Sequence, residues 1–246
     1  MANVKIVNED IDPSGSMLVE GLPGVGLVGK IVADHLVRTF EMGCYAEVHC
    51  DGVPQAAVYR GERSELRPPV RIHADEERNL LVLQSDVPVS PSEATEFAAC
   101  ITGWLESNDV TPLYLSGLPN QSDDVPELYG VYTGNAKHLL DEAGIVPPAE
   151  GGLISGPTGA LLYQAGLSNL DGVGLIAETN PQFPDPEAAR AMLEHGISPI
   201  TGLDIDTDEL TEQAEQIQNA REQLAQRMQQ AEDDQSSQAE PIRMFQ

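Results

Sequence analysis

Three observations predict an α/β fold built on a substantially parallel sheet. Short apolar runs of strand length alternate with longer amphipathic runs along most of the 246 residues, as βαβ units require. A glycine-rich turn, Gly21-Leu-Pro-Gly-Val-Gly-Leu-Val-Gly-Lys30, joins the first strand candidate to the first helix candidate. Hydrophobic residues make up 41% of the chain, enough for one large α/β domain or two small ones.

Taken in order, strands are expected over 17–20, 46–49, 56–59, 80–84, 112–116, 152–155 and 172–178, each a short run rich in Val, Ile, Leu or aromatic residues. Helices are expected over 25–40, 91–107, 135–142, 157–165 and 186–195. The first of these carries apolar residues at Val28, Ile31, Val32, Leu36 and Phe40, close to helical spacing. Ser90 before Pro91 and Asp185 before Pro186 each place a capping side chain ahead of a proline that suits a first helical turn. Gly196 after His195 predicts a helix stop. This α/β domain spans 1–202. Beyond it, Leu210, Ala214, Ile217, Arg221, Leu224, Met228 and Ala231 form a stripe broken only by Arg221, so 203–232 is expected to be an amphipathic helix lying on the domain or on another subunit. Residues 233–246 begin Ser/Gln/acid-rich, the composition of a flexible tail, and end in Pro-Ile-Arg-Met-Phe-Gln.

The formal charge is −27, from 40 acidic against 13 basic residues, and only Lys5, Lys30 and Lys137 are lysines. An acidic surplus spread along a foldable chain reads as adaptation to a high-salt cytoplasm, since the Debye length in molar salt is about 3 Å and self-repulsion is screened. The same charge argues against nucleic acid and anionic membranes as partners. Cys44, Cys50 and Cys100 are odd in number and make no CxxC pair, so they are expected to be buried small hydrophobes and not a disulfide framework or zinc site. The first residues have no apolar signal region and no run approaches 18 apolar residues, so a cytoplasmic protein is expected.

The glycine turn satisfies two phosphate-binding patterns. Gly24, Gly26 and Gly29 match GxGxxG, and Gly24 to Lys30 matches GxxxxGK. A Walker loop needs Ser or Thr after the lysine to hold Mg²⁺, and Ile31 stands there. A dinucleotide fold needs an acid about 20 residues further on, where Glu47 and Asp51 lie, although so acidic a chain offers an acid almost anywhere. The stronger expectation is a tight strand-to-helix turn. Glu178, Thr179 and Asn180 end a predicted strand, where α/β proteins place ligand groups. Asp204, Asp206 and Asp208 with Glu215 imitate a calcium loop, but Glu209 replaces the glycine that loop requires, and Asp206 with Glu209 suits a capping box better. The five histidines make no metal-binding spacing and no serine lies in a GxSxG elbow, so no metal, cofactor or catalytic constellation is expected.

Three segments together, 22–29, 152–162 and 178–189, resemble the PAC2 family, the archaeal relatives of eukaryotic proteasome assembly chaperones. The resemblance spans most of 16–230. It implies an αβα sandwich similar to the phosphorylase and nucleosidase folds, self-association into homo-oligomers and no catalytic residues to carry over. Some archaeal members engage the proteasome α-ring through a C-terminal hydrophobic-Tyr-X tail. Met244, Phe245 and Gln246 fit that pattern with Phe for Tyr, a loss of one hydroxyl hydrogen bond worth about 1 kcal/mol. The expected function is therefore a non-enzymatic, homo-oligomeric proteasome assembly chaperone or adaptor that binds α subunits of the 20S core. The competing expectation is a nucleoside- or nucleotide-binding enzyme of phosphorylase-like fold, using a cleft formed by Gly24–Lys30 and Glu178–Asn180.

Overall fold

The computed structural model describes residues 3–60, 63–120, 125–214 and 216. An eight-stranded mixed sheet organises the chain, in the order β1-β3-β6-β7-β2-β8-β10-β9. Its strands are β1 (Val4–Ile6), β2 (Met17–Gly21), β3 (Gly43–Val48), β6 (Val70–Asp75), β7 (Leu80–Ser85), β8 (Thr111–Pro119), β9 (Leu128–Thr133) and β10 (Gly172–Thr179). A separate two-stranded sheet is made by β4 (Val58–Arg60) and β5 (Arg63–Arg67). Only the central four strands, β7-β2-β8-β10, run parallel. Both flanks are antiparallel, so the substantially parallel sheet expected is parallel through its centre and mixed as a whole. The short links from β6 to β7 and from β8 to β9 explain this, because a parallel return needs a long crossover.

Helices cover both faces of the sheet. Alternation along the central strands sends Val19, Val82, Leu113, Val173 and Leu175 to one face and Leu18, Leu81, Leu83 and Tyr114 to the other. The first face is covered by α1 (Val28–Thr39), α3 (Lys137–Ala143), α5 (Pro186–Met192) and α6 (Ser198–Thr201). The second is covered by α2 (Ala94–Ser107) and α4 (Gly156–Ser168), which pack on each other. The architecture is three layers, with the sheet between two layers of helices.

Asp185 caps α5 as its position predicts, accepting the Ala188 N–H at 3.0 Å. Ser90 does not cap through its side chain; its hydroxyl meets Ser92 at 2.9 Å. The stop expected at Gly196 is also corrected. The helix passes through a π-helical turn (Leu193–Ile197) into α6, and the left-handed terminator is Gly202 at φ 72°. Gly196 is required for a different reason: a Cβ there would stand 2.9 Å from Leu175 and 3.0 Å from Leu128. The strand expected over 152–155 is extended coil leading into α4. Because β10 is already paired on both sides by β8 and β9, the sheet has no vacancy beside it.

Cys50 and Cys100 form a disulfide, with Cα atoms 6.0 Å apart, and this overturns the expectation of three unlinked thiols. The bond links the segment after β3 to α2. Cys44, half-buried on β3, takes no part in it.

The segment after α6 returns to the first face. His35, 2% exposed, places Nε2 2.6 Å from the Asp206 carbonyl, and Leu210 is buried in the same core. Helix begins again over 208–214. Asp206 accepts the Asp208 N–H at 3.0 Å, while Glu209 pairs with Arg38 at 2.8 Å and does not fold back as a capping box would. Glu215, the stripe from Ile217 to Ala231 and the tail through Met244, Phe245 and Gln246 lie outside the described residues.

Candidate functional site

The carboxyl ends of β7, β2, β8 and β10 meet at one rim of the sheet, the place where doubly wound folds expose a crevice. The glycine turn crosses this rim. Gly26 adopts φ +62°, in the left-handed region, and is buried. A side chain there would overlap the hydroxyl of Thr179, so the turn sits directly on the end of β10. The Gly26 carbonyl accepts the Asp185 N–H at 2.9 Å. Asp185 Oδ2 in turn accepts the Thr179 hydroxyl at 3.0 Å and the Asn180 N–H at 2.9 Å. Gly29 lets α1 lie close to the end of β2, since a Cβ would stand 3.2 Å from the Leu22 carbonyl. Two groups of candidate residues, Gly24–Lys30 and Glu178–Asn180, are thus brought together. Thr179 occupies the space that a side chain at Gly26 would need.

Lys30 is turned toward carboxylates. Its Nζ lies 3.0 and 2.9 Å from the two oxygens of Asp34 and 3.6 Å from Asp86. Asp34 also accepts from Gln84 Nε2 at 2.8 Å. Gln84 Oε1 accepts from Arg71 Nη2 at 2.9 Å, and Asp86 accepts from the same nitrogen at 2.7 Å. Arg71 Nη1 donates to the Pro68 carbonyl at 2.5 Å. Lys30, Asp34, Gln84, Arg71 and Asp86 therefore close a ring of two cations, two anions and one amide.

Of the ribose candidates, Glu47 is at the level of the rim, in register with Arg71, but far to the side of the glycine turn. It lies on β3, with three strand steps separating it from β2, and pairs with Lys5 at 3.1 Å. The Lys5 ammonium holds its carboxyl below the usual range. Glu178 extends from the last turn of β10 toward Glu127, whose N–H approaches Glu178 Oε2 at 3.4 Å. Among the described residues, no group of three or more His, Cys, Asp or Glu side chains could hold a metal.

The rim contains one feature that pattern matching does not single out. β2 and β8 pair at Met17↔Thr111, Leu18↔Pro112 and Val19↔Leu113, then part. The Glu20 side chain fills the opening and is 1% exposed. Its carboxylate accepts the Leu22 N–H at 3.0 Å, the Leu115 N–H at 3.1 Å and the Thr158 hydroxyl of α4 at 3.3 Å. Burial raises its pKa to about 7, against the lowering effect of these three donors. Tyr114, deeply buried nearby, is pushed well above the usual phenol range by burial and by the Glu20 charge. A proton-exchanging carboxyl at the carboxyl end of a parallel strand could serve acid–base chemistry or hold two strands apart. The available signal was an acid ending the run Met-Leu-Val-Glu, which is inconspicuous among 40 acids.

Comparison with known proteins agrees with this architecture. The sequence matches the PAC2 family over residues 18–225. Two uncharacterised proteins of Methanocaldococcus jannaschii are 28% and 26% identical, covering 91% and 87% of this chain and 90% and 87% of their own lengths. Pyrococcus furiosus PbaA, described as an archaeal homolog of proteasome-assembly chaperone, superposes with a TM-score of 0.77 at 25% identity, covering 96% of this chain and 97% of its own. Pyrococcus furiosus PbaB, described as an archaeal proteasome activator, shares the fold with a TM-score of 0.76 at 23% identity, over 91% of this chain and 98% of its own. With a family match across most of its length and the same three-layer architecture, the chain belongs to the PAC2 family.

Proposed function

We propose that this protein is a non-enzymatic, homo-oligomeric chaperone or adaptor that binds α subunits of the proteasome core, with Met244, Phe245 and Gln246 as the anchor. One observation carries most of this reading: the near full-length likeness to PbaA, a homolog of a proteasome-assembly chaperone. The rim geometry supports it, because the residues that imitate a nucleotide loop are occupied with one another. Thr179 fills the turn at Gly26, and Asp34 takes Lys30. In the proposed complex Met244 and Phe245 enter an apolar groove on the α ring while the Gln246 carboxylate meets a cation. An apolar contact of this kind survives the molar salt that an acidic surplus suits, whereas a purely ionic one is screened.

The test is a pull-down of proteasome α subunits in molar salt with the full chain and with 244–246 removed. Capture by the full chain alone is the expected result. Equal capture by both refutes the tail as anchor, and no capture by either refutes the partner.

A second reading, a nucleoside- or nucleotide-binding enzyme, draws on Glu20, the buried carboxyl that titrates near neutrality at the carboxyl rim. Thermal-shift measurements with nucleosides, NAD and ATP distinguish it, since a specific ligand raises apparent stability by mass action. The chaperone reading expects no shift.

A further inference from the structure

In a chain where 22% of residues are charged, the stretch from Gly151 to Leu170 contains no Asp, Glu, Lys, Arg or His. It comprises the approach to α4, the helix itself and its exit. On the inner side of α4, Leu161 and Ala165 are buried against the sheet and α2. The outer side is apolar as well: Leu153 is 90% exposed, Tyr163 70% and Leu167 64%. Tyr163 and Leu167 are one helical turn apart, so they share a face, and Gly159 and Gly166 lie beside them at helical spacing. A solvent-facing helix normally carries charge on its outer side. This one is apolar on both sides.

Electrostatics decides what covers such a face. Where salt does not screen it, the net charge of −27 opposes two copies approaching elsewhere and draws a basic partner to the acidic surfaces; where salt does screen it, apolar burial alone remains to favour a contact. The α4 face has no ionised side chain to repel a second identical face, and its apolar contacts are not weakened by salt. We propose that the exposed face of α4, centred on Tyr163 and Leu167 with Leu153 at its rim, is a twofold contact between two copies of this chain. A face that meets itself needs only to be self-complementary. Here Tyr163 of one copy covers Leu167 of the other, and Gly166, whose missing side chain would meet nothing closer than Thr133 at 3.9 Å, adds no bulk beside them. The proposal rests on the homo-oligomeric part of the function proposed above and names the surface responsible.

The test is the solution mass of the full-length protein in molar salt, by light scattering across a concentration series. The native chain is expected to be an oligomer. The double variant Tyr163→Glu/Leu167→Glu is expected to drop to a smaller species with unchanged circular dichroism, because both positions are exposed in the single chain. Should that variant fail to fold, Tyr163→Ala/Leu167→Ala is expected to weaken self-association at least about tenfold, as loss of more than roughly 1.4 kcal/mol requires. A native oligomer whose mass is unchanged in the folded variant refutes the α4 face and leaves the oligomeric reading intact. A native monomer at all concentrations refutes both.

Discussion

Two polar assemblies flank β2 at the same rim, one part-buried and one fully buried, and they handle charge in opposite ways. On the side of β7, Arg71 and Lys30 face Asp34 and Asp86, so each charge has a counter-charge within a closed ring. On the side of β8, Glu20 is surrounded by donors but, among the described residues, pairs with no cation, and its carboxyl remains protonated up to about pH 7. Both occupy places where the sheet needs a polar filler. One does so by pairing ions, which holds only while every partner is present. The other does so by binding a proton, so its energy depends on the solvent.

The largest expected effect breaks the ring. Arg71 is 2% exposed, and Arg71→Met removes the donor shared by Gln84 Oε1, Asp86 and the Pro68 carbonyl, leaving Asp86 with Lys30 at 3.6 Å, at a cost of roughly 3–5 kcal/mol of stability in denaturant unfolding. A change below about 1 kcal/mol would show that the ring contributes little.

Next comes the pH dependence set by Glu20. Its folded pKa, about 7, lies above the unfolded value of 4.5, so the folded state favours the protonated form. The stability it contributes is fully present below pH 4.5 and is lost as pH rises through about 7. The total loss is of order 3 kcal/mol, reckoned at about 1.36 kcal/mol for each tenfold difference in proton affinity between the folded and unfolded chain. Glu20→Gln is expected to remove this slope from the pH–stability curve. A curve as steep in the variant as in the native chain would assign the slope to another group.

A smaller effect sharpens the contrast. Thr158→Val deletes a donor that favours the ionised form, so it is expected to move the Glu20 midpoint to higher pH and to cost about 1 kcal/mol where Glu20 is ionised. The smallest is Lys30→Met. The Lys30–Asp34 pair is partly exposed and joins residues four apart on α1, so its loss is expected to change stability by less than about 1 kcal/mol. If Lys30→Met proved as costly as Arg71→Met, the ring would have to be regarded as one cooperative unit.

These assemblies also show where sequence pattern stops informing. The central strands and the longer helices were legible because their apolar spacing is unbroken, as in Leu80-Leu-Val-Leu83 or Phe97, Ile101 and Leu105. β6 was not. Its run Val70-Arg-Ile-His-Ala-Asp alternates, but Arg71 and His73 are buried too, at 2% and 5% exposure, and local pattern assigns such residues to water. Besides the nearby Pro68 carbonyl, Arg71 reaches Gln84 on β7 and His73 reaches the Met42 carbonyl in the segment after α1, partners that only the sheet brings near. The glycine turn and the segment Glu178–Asn180 were each visible as local motifs. That Thr179 closes the turn was not, because the contact depends on β8 lying between β2 and β10. The Cys50–Cys100 bond was missed for a similar reason: only the fold brings the end of β3 beside α2.

The position of β2 has a consequence for how the molecule is made. It is one of the innermost strands of the sheet, yet its neighbours β7 and β8 are encoded only from Leu80 and Thr111 onward, so they leave the ribosome well after it. Until those segments emerge, Leu18 and Val19 have no sheet to join. Assembly must close long loops before its central pairings are rewarded, which slows folding and leaves an apolar strand exposed to other chains in the interval. A chain of this topology therefore gains from any cover given to β2 while it is being synthesised.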